Sequence, residues 1–231
     1  MVIIMGNESI KIRVDTTALA CIFKYPDALN VSSIVEFLET KGFERIGTTR
    51  EEVVTKSGIP IGEIVQQLPI IARKKDKAIE ILYNPNASLL GFPYSSFITV
   101  RGTNVKDVLD NFRIISEYLS KENLSSDIAL YEATLTGFVE FKNISNKIIK
   151  MFNLQKLSKI AELLQEAKPV AFRLRGTNPN SPKWFDLILD SALLNPNLSF
   201  VRFIIRYDDF NKYEQIEEIL KNTIMGVLKN D

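Results

Sequence analysis

Apolar and polar residues alternate through residues 10–25. Leu19, Cys21 and Phe23 fall on one side of an extended segment, and Ala18, Ala20, Ile22 and Lys24 on the other. A period of two with apolar residues on both sides predicts a strand that has one face on helices and the other partly covered. Pro26-Asp27 breaks the pattern, and Asn30 is placed to cap a helix. Val31, Ile34, Val35 and Leu38 then recur at i, i+3, i+4 and i+7, one apolar helix stripe, and Gly42 suits the position just past its end. Residues 51–73 are apolar-rich, but Pro60 and Pro69 interrupt any central strand, so irregular or edge structure is expected, with a helical turn over 61–67. Arg73-Lys74-Lys75-Asp76-Lys77 reads as a basic hairpin tip, residues 78–83 as the returning strand, and Asn84-Pro85-Asn86 as a turn. Residues 97–101 form the next strand. Gly102 permits a tight exit, and Thr103 is the expected cap of a helix whose buried stripe is Val105, Val108, Leu109, Phe112 and Ile115.

The same order of elements returns after a polar link over 121–127. The run Ala133-Thr134-Leu135-Thr136-Gly137-Phe138-Val139-Glu140-Phe141 keeps step in size and polarity with Thr17-Ala18-Leu19-Ala20-Cys21-Ile22-Phe23-Lys24-Tyr25. Leu157, Ile160, Ala161 and Leu164 repeat the helix stripe, and Pro169 ends it. Strands follow over 170–175, 184–189 and 200–207, with a turn over 176–182. A last helix is lined by Ile216, Ile219, Leu220, Ile224, Val227 and Leu228. The reading is an α+β protein of two β-α-β-β-β-α pseudo-repeats, residues 1–122 and 123–231, with an antiparallel sheet and helices packed on one face. The halves either join into one continuous sheet or form two sandwiches that meet through their helices. Matched strand positions put Leu19, Phe23, Phe97, Leu135, Val139 and Phe200 against the helix layer.

Composition narrows the chemistry. The chain has 231 residues, 45% hydrophobic and 25% charged, with a net charge of +1. These values fit an ordinary globular protein, with no bulk field to attract a polyanion. It contains no histidine, which removes the commonest general base, the Ser-His and Cys-His pairs and every His-ligated metal site. A single cysteine, Cys21, rules out an internal disulfide and all-cysteine metal sites and agrees with a reducing compartment. The apolar start, Met1 to Met5, is stopped at Gly6 and is too short for a secretory core. A cytoplasmic protein with no membrane contact and no cofactor is therefore expected.

One stretch resembles a known family. Tyr83-Asn84-Pro85, followed by Gly91-Phe92-Pro93, is similar to the Tyr-Asn-Pro and Phe-Pro-Gly motifs of the TATA-box-binding proteins, over residues 78–119. The resemblance implies a saddle of two pseudo-repeats, each an antiparallel sheet with two helices. The second half carries no Tyr-Asn-Pro, and Ser-Gly-Lys is missing before the last helix. The resemblance therefore speaks to topology rather than to DNA binding.

Three constellations could carry function. Arg-Gly-Thr-Asn occurs at 101–104 and again at 175–178. Either both are plain turns, or they are Arg-bearing turns that hold a phosphate or carboxylate. The candidate ligand-binding residues on the second reading are Arg101 with Asn104, and Arg175 with Asn178, Lys183 and the only tryptophan, Trp184. Asp186, Asp190, Asp208 and Asp209 flank the last two strands, as turn acids or as ligands for Mg²⁺. The basic tip at 73–77, with Arg173, Arg175, Lys183 and Trp184, is either solvated or set against a nucleic-acid backbone. No nucleotide-binding or metalloprotease motif is present. The expected function is a non-catalytic binding or interaction protein with a protein partner or self-association, no catalytic residue and no bound metal. The alternatives are a nucleic-acid-binding protein linked to transcription and, third, a carboxylate and Mg²⁺-dependent enzyme.

Overall fold

The computed structural model describes residues 10–46, 70–150, 171–192 and 195–228. The strands are β1 (Lys11–Phe23), β2 (Glu44–Arg45), β3 (Ile70–Lys74), β4 (Ile79–Leu89), β5 (Phe92–Gly102), β6 (Ile128–Glu140), β7 (Ala171–Arg175), β8 (Phe185–Ser191) and β9 (Leu198–Tyr207). The helices are α1 (Val31–Thr40), α2 (Val105–Lys121), α3 (Ile144–Lys150) and α4 (Ile216–Leu228). All described strands join one antiparallel sheet in the order β2-β3-β4-β5-β1-β6-β9-β8-β7. The α+β class and the single layer of helices agree with the sequence. The first half has one strand more than expected, the two-residue β2. The helix expected over 157–164, and the turn over 61–67, lie outside the described residues. No described helix is long and apolar enough to cross a membrane.

The core follows from side-chain parity. Register partners on neighbouring strands point to the same face, and alternate residues to the opposite one. Leu19, Cys21 and Phe23 of β1, Ile79, Ile81 and Tyr83 of β4, Leu135 and Val139 of β6 and Phe203 of β9 meet one layer built from all four helices. Helix α1 contributes Ile34, Val35 and Leu38, and α2 contributes Val108, Leu109, Phe112 and Ile115. Asn30 caps α1, accepting from the Ser33 amide at 3.1 Å. Gly42 follows that helix at φ +82°, a left-handed conformation that costs glycine little. Asn104 caps α2 by accepting from the Asp107 amide at 3.1 Å, so the cap falls one residue later than expected. Gly102 serves packing rather than a turn, since a Cβ there would lie 2.6 Å from Ile79 Cδ1.

Two core expectations are corrected. Phe97 is buried, but on the face away from the helices, in a small cluster with Ile22, Ala87 and Leu130. Phe200 is 39% exposed on that same open face. It pairs with Phe138 across the sheet, ring centroids 5.9 Å apart, because its parity matches Arg202 and Ile204 rather than Val201 and Phe203. A further correction concerns Asn84-Pro85-Asn86. It lies inside β4 as an irregularity of the β4–β5 ladder, and the chain reverses later, at Leu90-Gly91.

Cys21 is fully buried, and burial pushes its thiol far above the ordinary range. Burial also raises the phenols of Tyr131, to about 12, and of Tyr207 and Tyr213 further.

Two measurements test this layering. In urea unfolding, Phe203→Ala loses ~3–5 kcal/mol, the range for a fully buried Phe, while Phe200→Ala stays within about 1 kcal/mol. The buried phenols set the alkaline limit. A raised folded pKa means that the unfolded chain loses the proton first, so the stabilisation is complete below pH 10, the ordinary phenol value, and falls as pH rises towards 12. Unfolding midpoints at pH 8, 10 and 11.5 should show a flat region and then a decline; a flat profile to pH 11.5 would contradict the burial of these rings.

Candidate functional site

The helices cover one face of the sheet, and the sequence-predicted binding residues lie on or beside the other. Reading the register across, Glu44, Arg73, Glu80, Arg101, Ala18, Thr134, Ile204, Asp186 and Arg175 are partners in turn on all nine strands. Arg101 and Arg175 therefore share one face and one row. They stand five strand spacings apart, about 24 Å, so they cannot grip one small anion together. Each has an acid directly opposite. Arg101 donates from Nε to Glu80 at 3.0 Å and also through Nη2. Arg175 donates to Asp186 at 3.1 Å, and Arg173 holds the same carboxylate through two bonds at 2.8 and 2.6 Å.

The remaining predicted residues divide in the same way. Asn104 is occupied as the α2 cap. Asn178 accepts from the Asn180 amide at 3.1 Å, an Asx turn. Lys183 is exposed, and its backbone N–H is bound by Ser181 Oγ. Trp184 is buried, with its indole N–H on the Gly176 carbonyl at 2.9 Å. The carboxylates do not gather. Asp186 serves the two arginines, Asp208 pairs with Lys212, and Asp209 accepts from the Asn211 amide. Among the described residues no group of three or more metal-ligating side chains forms.

The basic tip is likewise engaged. Lys75 lies 3.0 Å from Glu44 and Lys77 3.2 Å from Asp107. Lys74 reaches Asn111 and lies over the Phe43 ring, and partial burial, then the Lys77 charge, lower its pKa. Arg73, Lys75, Arg101 and Thr103 line a basic hollow of about 420 Å³ at this edge. The tip stands about 33 Å, seven strand spacings, from the β7 arginines, so the two basic groups do not form one patch.

The residue that organises this face escaped sequence reading. Arg206 is 2% exposed although it sits on the side of the sheet to which no described helix contributes. Its Nε donates to Glu132 at 2.8 Å, and Nη1 donates to the carbonyls of Leu90, at 2.9 Å, and Pro179. The guanidinium carbon lies 4.5 Å from the Trp184 ring centroid and 5.4 Å from that of Phe92. Leu90 and Phe92 belong to the β4–β5 arm, whereas Pro179 and Trp184 belong to the β7–β8 connection. Arg206 thus clasps the two over the end of the sheet. A Cβ on Gly91 would collide with Asn180 across this junction. No sequence period singles it out: β9 carries two arginines, Arg202 and Arg206, and nothing in the order of residues tells them apart. The residues that carry the family resemblance have structural duties here: the Tyr83 hydroxyl accepts from the Leu29 amide, and Phe92 lies against Arg206.

Beneath the arm the sheet has a second hollow, of about 240 Å³. Ala18 and Ala20, successive open-face positions of β1, leave it shallowly floored, while Ile22, Phe97 and Leu82 wall it and Leu89 of the arm overhangs it. Comparison with family models, with curated proteins and with solved structures found no match.

Arg206 provides the test of this arrangement. Arg206→Met leaves Glu132, with only 18% of its side chain exposed, without its cation, and the expected loss is ~3–5 kcal/mol. Adding Glu132→Gln recovers part of it. Amide exchange at residues 89–92 should rise in both variants, because the carbonyl clasp is lost in each; unchanged exchange there would contradict the clasp.

Proposed function

We propose that the protein is a non-catalytic binding protein that uses the open face of its sheet, and that its partner is a protein, in the first instance a second copy of the chain. One observation carries this reading: Phe200, exposed to 39%, stands with Phe138 on a face to which no described helix contributes. An aromatic pair on a broad sheet surface is the apolar centre that protein interfaces favour. The charges around it favour a protein over a polyanion. Arg101 and Arg206 each pair with their own acid, and Arg173 and Arg175 share Asp186, so three acids offset most of the charge of these four arginines and reduce the field for phosphates. The absence of histidine and the dispersal of the carboxylates support a role without catalysis.

The strand order supports a duplicated architecture. Outward from the β1–β6 pair it reads β5, β4, β3 and the two-residue β2 on one side and β9, β8, β7 on the other. Apart from β2, this near-symmetry about the central pair is what supports reading the chain as two halves. A second functional reading, nucleic-acid binding, is favoured by Arg13 stacked 4.8 Å over the Phe138 ring and by Arg202 on the neighbouring row, a cation and ring pairing suited to bases.

Sedimentation equilibrium separates these readings. The wild-type chain should dimerise at micromolar concentrations, and Phe200→Ser should weaken the dimer at least about tenfold, the loss of one central aromatic contact. A chain that stays monomeric but binds random single-stranded RNA, with an affinity that falls steeply with salt and with Arg202→Ala, replaces the first reading by the second.

A further inference from the structure

We infer that the hollow beneath the β4–β5 arm is a binding site for a small neutral ring compound that carries one hydrogen-bonding group. This rests on reading the open face as the binding face. Three observations carry it. The first is size and lining. A cavity of about 150 Å³ holds benzene when its walls are apolar, and this one measures about 240 Å³, with Ala18 and Ala20 as floor and Ile22, Phe97 and Leu89 around them. The volume suits one or two fused rings.

The second observation is Thr99. It is only 8% exposed and lines the hollow, yet its hydroxyl has no hydrogen-bond partner among the described residues. Thr134, two strands away, also lines the hollow and its hydroxyl is likewise unpartnered among them. Buried hydroxyls are normally satisfied. Thr134 is half-buried and stands two strands and two residues from Thr99, too far for one group to reach both, so a ligand hydroxyl, amide or indole N–H would bond Thr99. The third is charge. Two ionised groups reach the rim, Arg101 and Glu132, and each is already paired, with Glu80 and with Arg206. An ion entering the hollow would lose its hydration without gaining an unpaired counter-charge, so the neutral compound is preferred. The clasp on Arg206 holds the arm, and with it Leu89, over the site before any ligand arrives, which limits the ordering cost of binding.

Ligand-observed NMR with the full chain tests this, with indole and 4-methylphenol as probes and toluene, phenylacetate and 2-phenylethylammonium as comparisons. Indole and 4-methylphenol should bind, and the two charged compounds should bind at least about tenfold more weakly. Ala20→Leu fills the floor and should abolish binding of all probes while leaving the melting temperature unchanged or higher. Ala18→Val serves the same purpose if Ala20→Leu does not fold. Thr99→Val should weaken 4-methylphenol about fivefold, the loss of one hydrogen bond, and leave toluene unchanged. Indole binding that survives both floor variants, or tighter binding of either charged compound, overturns the proposal. Phe200→Ser lies outside the hollow and should bind indole as the wild type does. Ring binding without Phe200-dependent association therefore removes only the docking reading, and association without ring binding removes only the hollow.

Discussion

The pairing of β1 with β6 is the interaction on which the rest of the sheet depends. The ladder runs from Lys11 opposite Glu140 to Phe23 opposite Ile128 and is the only described link between the strands of the two halves. It is long, and it has an irregularity between Val14 and Thr16. There Gly137 passes so close to the Arg13 carbonyl that a Cβ would collide with it. A bulge of this kind moves every later residue relative to its partner and so sets which side chains face the helices. Leu19, Cys21, Leu135 and Val139 go inward in consequence, and Ala18, Ala20, Thr134 and Phe138 go outward.

That partition explains the character of the open face. Where the described helices cover one side of a sheet, the other side, as far as water reaches it, has to be compatible with water. Here this is achieved by facing arginines with acids on the next strand, as in Glu80 and Arg101 or Asp186 and Arg175. Such pairs contribute modestly to stability where they are exposed. Their larger effect is to offset much of the positive charge that the arginines bring to this face. Arg206 differs because its neighbours are a carboxylate, two carbonyls and two rings, all drawn from segments far apart in the chain. A planar guanidinium can meet all of these at once, which an ammonium cannot. The clasp turns a bare strand end into a covered one, and the hollow lies under that cover.

Much of the architecture was legible in the order of residues, because helix stripes and strand alternation are local periods. The stripes of α1, α2 and α4, the cap at Asn30, the polar link near 121–127 and the antiparallel strands on either side are set by neighbours a few positions apart. Turn chemistry was less reliable. Asn84-Pro85 has the composition of a reversal, yet the ladder to β5 carries it onward to Leu90-Gly91, where Gly91 adopts φ +86°.

What only the tertiary structure decided is the sign of the alternation and the meeting of distant groups. A period of two does not say which of two apolar faces is inside, so Phe200 could be assigned to the wrong side while Phe203, three residues on, was the core residue. Arg101 and Arg175 share a motif in the sequence, but register places them in one row too far apart to share a ligand. The arginine that does bring the two halves together, Arg206, has no local signature, because its partners come from three other segments of the chain and its burial exists only once they have met. Local periodicity is written in adjacent residues; register, facing and burial are set by contacts between segments that the chain brings together only on folding.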